Sequence, residues 1–451
     1  MATYDVIVIG GGPAGEVAAG RSGEAGLSVA LVERELVGGE CSFYACMPSK
    51  ALLRPGDLAD EIARVPGVSG GELDPAAILR RRDEVIHNRD DSSYVPWLEE
   101  RGVTLHRGAA RLSGERRVTV GDEQLEATKA VVVATGTDAR IPPIPGLAEA
   151  KPWTNRQGTN SERVPASLAV LGGGVVGVEL ADAWASLGSK VTLLEMRDRV
   201  IPAEELEASR LVTDGLKRRG VDVRLGIEAV AVSRANGEVT IDCHGGAAST
   251  AEELLVGLGR EPRTKDLGVE VVGLEPGKPI EVDEQMRSRA ADWLFAVGDV
   301  NGRALLTHMG KEQARIAADV IAGRNPTPVV VDGRQAPRVI FTDPQVAAVG
   351  HTLASAKDAG LNVREVDHAP GGVAGGSFVG RGADSFARLV VDEDRRVVVG
   401  ATFVGPEVAE FVHAATIAIV GEVPLERLWH AVPCFPTRSE VWLRLLEKYG
   451  L

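Results

Sequence analysis

The stretch YDVIVIGGGPAG at residues 4–15 decides the fold of this chain. Its β-branched residues predict a short buried strand, and glycines at positions 10, 12 and 15 follow it at once. Residues 16–25 are compatible with a helix, and residues 28–33 predict a second strand that ends in Glu33. A strand, a Gly-x-Gly-x-x-Gly turn, a helix and a terminal acid indicate a dinucleotide-binding βαβ unit.

The same unit occurs again at residues 168–195, with its own glycine turn and Glu195 at the end. In both copies the acid stands 23 residues after the first glycine. The first glycine allows a tight turn, the second lets a pyrophosphate approach the backbone, and the third lets the helix pack on the strand. The two acids would accept hydrogen bonds from ribose hydroxyls. The repeat therefore predicts two bound dinucleotides.

Composition excludes several classes of protein. The 451 residues suggest two to four domains, and 50 Lys and Arg against 64 Asp and Glu leave a net charge of −14 without a basic block. We therefore expect neither a nucleic-acid partner nor an anionic membrane partner. Four cysteines cannot build a secreted disulfide framework. The start of the chain lacks the basic region and the long apolar run that are typical of a signal peptide, and no apolar run reaches about 18 residues. These features predict a cytoplasmic protein.

Two cysteines lie in the segment GGECSFYACMPSK at residues 38–50. Cys41 and Cys46 could be small buried apolar residues or half of a zinc site, although zinc ligands usually lie closer together and no second Cys/His pair follows. In a reducing compartment, thiols this close are more often catalytic. Lys50 follows Cys46 by one helical turn and could lower a thiol pKa. We predict a redox pair and no metal site.

After residue 326 the sequence pattern changes. Residues 338–342, 386–391 and 396–403 predict strands, and residues 408–420 and 441–449 predict helices. This mixture indicates an α+β module without a glycine fingerprint of its own.

Taken together, these motifs resemble the class I pyridine nucleotide-disulfide oxidoreductases, the family of dihydrolipoyl dehydrogenase, glutathione reductase and mercuric reductase. The resemblance covers essentially the whole chain and includes the opening FTDPQV of the family's interface domain at residues 341–346. It implies an α/β fold with two Rossmann-like domains and a C-terminal α+β dimerisation domain, in a homodimer. The implied FAD domain covers residues 1–147 and 276–333, the NAD(H) domain residues 148–275, and the dimerisation domain residues 334–451.

The resemblance also implies roles for individual residues. FAD would be bound by Gly10, Gly12, Pro13, Ala14, Gly15, Glu33, Gly39, Lys50, Ala110, Ala134, Thr135, Gly136, Gly298, Asp299, Thr307 and His308. NAD(H) would be bound by Gly172, Gly174, Val175, Val176, Gly177, Glu179, Glu195, Met196 and Gly259. Cys46 would be the thiolate that faces the flavin, Cys41 the interchange thiol, and Lys50 would pair with Glu179. A carboxylate at Glu195 favours NADH over NADPH, although Arg197 could weaken that preference.

The chain departs from the family near its C-terminus. The family's His-Pro-Thr-x-x-Glu begins here with Phe435, so the catalytic Glu440 lacks the imidazole that it would orient. Aromatic residues at 43 and 44 add bulk beside the redox pair. We expect Cys434 to be a buried free cysteine rather than a metal-relaying thiol. We also expect His430 to be a partly buried residue rather than a replacement base.

These observations predict an enzyme that passes electrons from NADH through FAD and the Cys41–Cys46 pair to a non-standard small-molecule acceptor. The alternatives are dihydrolipoyl dehydrogenase proper, a quinone or metal-ion reductase similar to mercuric reductase, and a flavin-bound redox sensor or assembly subunit without enzymatic function.

Overall fold

The structure is a computed structural model that describes residues 1–246 and 248–451. These residues form two compact units. The first unit contains residues 1–48, 83–140 and 259–333, and the second contains residues 49–82, 141–258 and 334–451. The second unit thus includes both the second glycine fingerprint and the C-terminal module. The finer division into three domains, with boundaries at 147, 275 and 333, stays a prediction.

A seven-stranded sheet forms the centre of the first unit. The strand Ala2–Ile9 lies between Val29–Glu33 and Glu123–Val133 and runs parallel to both. Its β-branched residues 6–9 are buried, as expected for a central parallel strand. The remaining strands are Val103–Arg107, Ala110–Gly114, Arg117–Val120 and Leu294–Ala296. Strands Thr137–Ala139 and Arg260–Pro262 pair separately.

Helix Pro13–Glu24 of the first unit packs along helix Thr307–Ile321. The close approach needs Gly310, because a β-carbon there would lie 3.1 Å from Gly298 Cα and 3.3 Å from Ala14 Cβ. The start of the second helix is thereby held next to the first glycine turn. The other helical segments of this unit are Gly39–Phe43, His87–Arg89, Tyr94–Glu99, Val269–Val272 and Gly298–Asn301, and the helices Cys46–Arg64 and Pro75–Val85 begin or end in it.

The second βαβ unit builds a parallel sheet in the second unit. Strand Ser167–Leu171 lies between Lys190–Glu195 and Glu253–Val256, and Asp222–Leu225 follows on the outside. Helix Val175–Ser186 is largely buried, and its Trp184 indole donates to the carbonyl oxygen of Gly158 at 3.0 Å. This part also contains the helices Asn155–Asn160 and Leu206–Arg218 and the antiparallel strands Ala229–Ala235, Glu238–Cys243 and Ala248–Ala251.

The C-terminal module is a five-stranded antiparallel sheet with helices. In spatial order its strands are Arg338–Ile340, Gln345–Gly350, Val397–Gly405, Phe386–Asp392 and Val363–His368. Its helical segments are Gly333–Gln335, Leu353–Asp358, Pro370–Gly372, Ala374–Val379, Val408–Phe411, Val412–Val420, Leu425–Leu428, Arg438–Glu440 and Val441–Tyr449. The predicted α+β class is confirmed. Sequence patterns missed the second and fifth of these strands.

The described residues contain no helix with the length and apolar character that crossing a bilayer requires.

We expect Gly15→Ala to destabilise the first unit, because the added β-carbon would lie 1.8 Å from the carbonyl oxygen of Gly10. Overpacking of this kind costs about 1–3 kcal/mol. Melting temperature and FAD bound per chain should both fall. Gly114→Ala is the matched control, since its β-carbon would meet nothing closer than Arg117 Cδ at 3.9 Å. Equal melting temperatures and FAD contents for the two variants would contradict the steric argument.

Candidate functional site

The first glycine turn presents backbone amides at the carboxyl end of the central strand. Gly10 has a φ of +103°, a conformation that disfavours any residue with a β-carbon. Helix Pro13–Glu24 begins at Gly12 without a side-chain cap on its N-terminus. The first N–H groups of a helix have no partner within the helix, and they bind phosphate oxygens readily.

Glu33 holds this turn in place. Its Oε2 accepts a hydrogen bond from the Gly11 amide at 2.6 Å, and its Oε1 accepts one from the Glu35 amide at 2.6 Å. The carboxylate is buried. Sequence reasoning assigned Glu33 to a ribose and missed that the acid also braces the glycine turn. The remaining lone pairs of the carboxylate can still accept hydrogen bonds from a ribose.

The second turn repeats this geometry almost atom for atom. Gly172 also has a φ of +103°, and a β-carbon on Gly177 would lie 1.9 Å from the carbonyl oxygen of Gly172. Glu195 accepts hydrogen bonds from the amides of Gly173 at 2.6 Å and Arg197 at 2.7 Å. Both acids therefore have the same structural role in addition to the predicted ribose contact.

Open space in front of both turns suits a dinucleotide. A β-carbon on Gly12 would meet nothing closer than Gly39 Cα at 4.0 Å, and one on Gly174 would meet nothing closer than Gly257 O at 4.0 Å. A pyrophosphate can therefore approach both backbones. Beside the second turn, the side chains of Val175 and Met196 are 45% and 63% exposed. The two cradles fit the pair of dinucleotides that the sequence predicts.

The first unit brings most of the other predicted FAD residues to the same edge of its sheet. The segments that begin at Gly10, Ala134 and Gly298 each follow the carboxyl end of a parallel strand. A β-carbon on Gly39 would lie 2.7 Å from Gly12 Cα. Asp299 accepts a hydrogen bond from Thr137 Oγ1 at 2.9 Å, and burial raises the pKa of its carboxyl. Ala110 opens the strand Ala110–Gly114.

The two cysteine sulfurs meet at the start of helix Thr307–Ile321. Thr307 Oγ1 donates a hydrogen bond to Cys41 Sγ at 3.1 Å and lies 3.5 Å from Cys46 Sγ. Both cysteines are half-buried thiols in this structure. The exposed His308 follows Thr307 at the same helix start. The fold therefore assembles the two cysteines and Thr307 into one cluster.

The cation that acts on Cys41 is Lys311. The pKa of Cys41 is raised, chiefly by its contact with Cys46 and then by burial. The hydrogen bond from Thr307 and the charge of Lys311 act in the opposite direction. The sequence pointed instead to Lys50 as the residue that lowers a thiol pKa. No pattern signalled Lys311, which is far from both cysteines in sequence.

Lys50 takes part in a cluster within the second unit. Its Nζ donates to Glu179 Oε2 at 2.6 Å and lies 4.8 Å from the centre of the Phe341 ring. The other carboxylate oxygen, Oε1, accepts a hydrogen bond from the Phe341 amide at 2.9 Å. The structure thus brings together Lys50 and Glu179, the pair that the resemblance implies.

Phe43 does not add bulk to a pocket beside the cysteines, contrary to expectation. Its side chain is 1% exposed and packs edge to face against Tyr94, with the ring centres 6.4 Å apart. The physical reason is that Phe43 ends the short helix Gly39–Phe43 with its ring turned into the protein. Tyr44 is half-buried.

The C-terminal segment differs from two expectations. We expected Cys434 to be buried and His430 to be partly buried. Both expectations are wrong for the single chain, because both residues are exposed. Phe435 is 78% exposed. The reason is that residues 430–436 follow the surface between the helices Leu425–Leu428 and Val441–Tyr449.

Glu440 is buried and already has partners. Its Oε1 accepts a hydrogen bond from Arg444 at 2.6 Å, and its Oε2 accepts one from the Ala374 amide at 3.2 Å. Sequence reasoning missed Arg444, although the spacing of four residues on a helix is a signal for such an ion pair. In this chain, Glu440 therefore connects the C-terminal segment to the start of the helical segment Ala374–Val379.

Within the described residues, no group of three or more His, Cys, Asp or Glu side chains is placed to hold a metal ion.

Comparison with known proteins agrees with this geometry. Residues 4–318 match the family model for pyridine nucleotide-disulphide oxidoreductases, and residues 336–445 match the model for the dimerisation domain of the same family. The chain belongs to this family. It is therefore an FAD-dependent oxidoreductase that uses a nicotinamide dinucleotide, and its dimerisation domain supports a homodimer.

Two curated relatives of this pyridine nucleotide-disulphide oxidoreductase match nearly the whole chain. Dihydrolipoyl dehydrogenase 3 of Pseudomonas aeruginosa is 34% identical over 98% of this chain and 96% of its own length. Dihydrolipoyl dehydrogenase of Haloferax volcanii is 32% identical over 98% and 95%. The family and the use of FAD and NAD(H) are thus confirmed.

Solved structures show the same fold. LpdA of Mycobacterium tuberculosis has a TM-score of 0.88 at 25% identity, with full coverage of both chains. The HOCl-induced flavoprotein disulfide reductase RclA of Escherichia coli has a TM-score of 0.86 at 24% identity, covering 98% of this chain and 99% of that chain.

We predict that Met196→Arg raises kcat/KM for NADPH about tenfold, because a charge-assisted hydrogen bond to a 2′-phosphate is worth roughly 1.5–3 kcal/mol. Met196 follows Glu195 directly, and its exposed side chain leaves the hydrogen bonds of Glu195 intact. Steady-state kinetics with both nucleotides measure the ratio, and Met196→Gln is the uncharged control. A wild-type enzyme with a higher kcat/KM for NADPH than for NADH would contradict the role of Glu195.

Proposed function

We propose that this enzyme oxidises NADH and passes two electrons through the Cys41–Cys46 pair to a small acceptor that needs no protonated thiol leaving group. The proposal rests on two features of the C-terminal segment. Phe435 stands where the family has its histidine, and Glu440 is held by Arg444 and the Ala374 amide. The segment thus lacks the base, and both carboxylate oxygens of Glu440 already accept hydrogen bonds within the chain.

The missing base matters most for disulfide acceptors. When a thiolate attacks one sulfur of a disulfide, the other sulfur leaves as a thiolate. The reaction is faster when a group of the enzyme gives this leaving sulfur a proton. General acid–base assistance of this kind contributes about 10²–10⁴ in rate. A phenylalanine ring cannot give or take a proton. Quinones, metal ions and small oxidants do not need this step, and they are the acceptor classes we favour.

The cofactor sites account for the rest of the reaction. The first glycine turn and Glu33 would hold the ADP part of FAD, and the second turn and Glu195 would hold NADH. FAD supplies two-electron transfer between a nicotinamide and a disulfide. The protein contributes position and charge: Lys50 is oriented by Glu179, and the two sulfurs are held at Thr307.

Dihydrolipoyl dehydrogenase proper is the second candidate. The near full-length similarity to two proteins of that name favours it. The exposed His430 could then move the proton in place of the missing histidine. A flavin-bound redox sensor differs from both enzymes, because it would not consume NADH steadily when an acceptor is present.

We expect the cysteine pair to be oxidised in air and reduced by NADH. In the air-oxidised enzyme, iodoacetamide should label neither Cys41 nor Cys46, and after anaerobic NADH it should label both. Mass spectrometry of the peptides measures the labelling. Cys434→Ser is the control and should not change labelling of the pair. Two labelled cysteines before NADH addition would contradict a redox disulfide.

We also expect Phe435→His to raise lipoamide reduction by about 100-fold, the lower end of the range for general acid–base help. The double variant Phe435→His/Arg444→Leu should gain further, because loss of the ion pair frees Glu440 to orient the new imidazole. Rates with a quinone should change little in both variants.

Efficient lipoamide turnover by the wild type would overturn the proposed acceptor class. Loss of that turnover in His430→Ala would then identify His430 as the replacement base and favour dihydrolipoyl dehydrogenase.

A further inference from the structure

The hydroxyl of Thr307 is directed at sulfur. It donates to Cys41 Sγ at 3.1 Å and lies 3.5 Å from Cys46 Sγ, so one oxygen bridges the two reacting atoms of the pair. Thr307 is the first residue of a 15-residue helix whose N-cap is Leu306. Its position is set by the packing of the same helix against the first glycine turn through Gly310.

Reduction of the pair creates a need for such a group. When two electrons break the bond between the sulfurs, both sulfurs become thiolates unless they take up protons. A thiolate in a half-buried site is costly unless hydrogen-bond donors or positive charges stabilise it. By the family resemblance, the C-terminal histidine of the partner subunit gives and takes this proton in the relatives. In this chain, Phe435 stands at that position.

We propose that Thr307 is a catalytic residue whose hydroxyl donates a hydrogen bond to the thiolate of Cys41 and keeps this sulfur reactive. Thr307 retains its proton throughout, so the step requires no additional reactant. The inference rests on the proposed function only in that it takes Cys41 to be a redox thiol. It adds a contact within one subunit that supports the thiolate in the absence of the histidine.

The surrounding charges support this role. The contact with Cys46 and burial raise the pKa of Cys41, whereas Thr307 and Lys311 lower it. Lys311 lies one helical turn after Thr307, and the N-terminus of this helix contributes a partial positive charge. The acidic neighbour in sequence, Glu40, is paired with Arg263 at 3.1 Å. Stabilisation of the Cys41 thiolate therefore comes chiefly from the first turn of the helix.

The test measures the reactivity of Cys41 directly. The holoenzyme is reduced anaerobically with NADH, and the rate at which iodoacetamide alkylates Cys41 is followed by mass spectrometry from pH 5 to pH 10. Thr307→Val removes the hydroxyl and keeps the shape of the side chain, while Thr307→Ser keeps the hydroxyl. Visible absorbance reports the FAD content of each variant, and the exposed Cys434 is an internal reference for the reagent.

We expect Thr307→Val to slow alkylation of Cys41 about tenfold at pH 7 and to move its pH profile upward, since a hydrogen bond to a charged group has at least this effect. Thr307→Ser should stay close to the wild type. Thr307→Ala, which introduces no bulk, should behave like the valine variant and replaces it if that variant does not fold.

Two results would overturn the role of Thr307. One is an unchanged profile in the valine and alanine variants. The other is a serine variant as slow as valine, which would point to packing of the methyl group. Failure of the proposed function would give a different result, because both cysteines would be labelled before any NADH is added. The pH profiles of the variants could still be compared in that case.

Discussion

The absence of a β-carbon at two helix starts is the constraint on which this structure depends. At Gly15 and Gly177, a β-carbon would lie within 2 Å of the carbonyl oxygen that begins the same turn. Only a glycine lets each helix pack this close to its strand. Because of this close packing, the first amides of each helix point together at the space in front of its own turn. The carboxylates of Glu33 and Glu195 complete each turn through hydrogen bonds to its backbone.

The contact between Thr307 and the cysteine pair follows from the first of these turns. Helix Thr307–Ile321 reaches the turn because Gly310 lies against Ala14 and Gly298. Since Thr307 begins that helix, its hydroxyl is carried to the two cysteine sulfurs. The glycine turn that would hold the cofactor and the helix start that meets the thiols are thus parts of one packing arrangement.

In the function we propose, the chain keeps the family's electron transfer and differs from the family in its C-terminal segment. The two glycine turns and the cluster of Thr307 with the two cysteines are formed in the structure. At the position where the family resemblance implies a histidine, however, the chain has an exposed phenylalanine, and Glu440 takes part in an ion pair and a contact with the Ala374 amide. In the proposed function, this difference affects only the acceptors that require a proton at that point.

The sequence by itself determined the two dinucleotide units and the cysteine pair, and it placed Phe435 where the family resemblance implies a histidine, because each depends on spacing within a short segment. Tertiary structure alone decided which groups act on the sulfurs. Thr307 is 266 residues from Cys41, and no local pattern relates a helix start to a thiol so distant in the chain. The burial of Phe43 could not be predicted from the sequence either. Packing against elements elsewhere in the chain decides which side of a short helix faces the core.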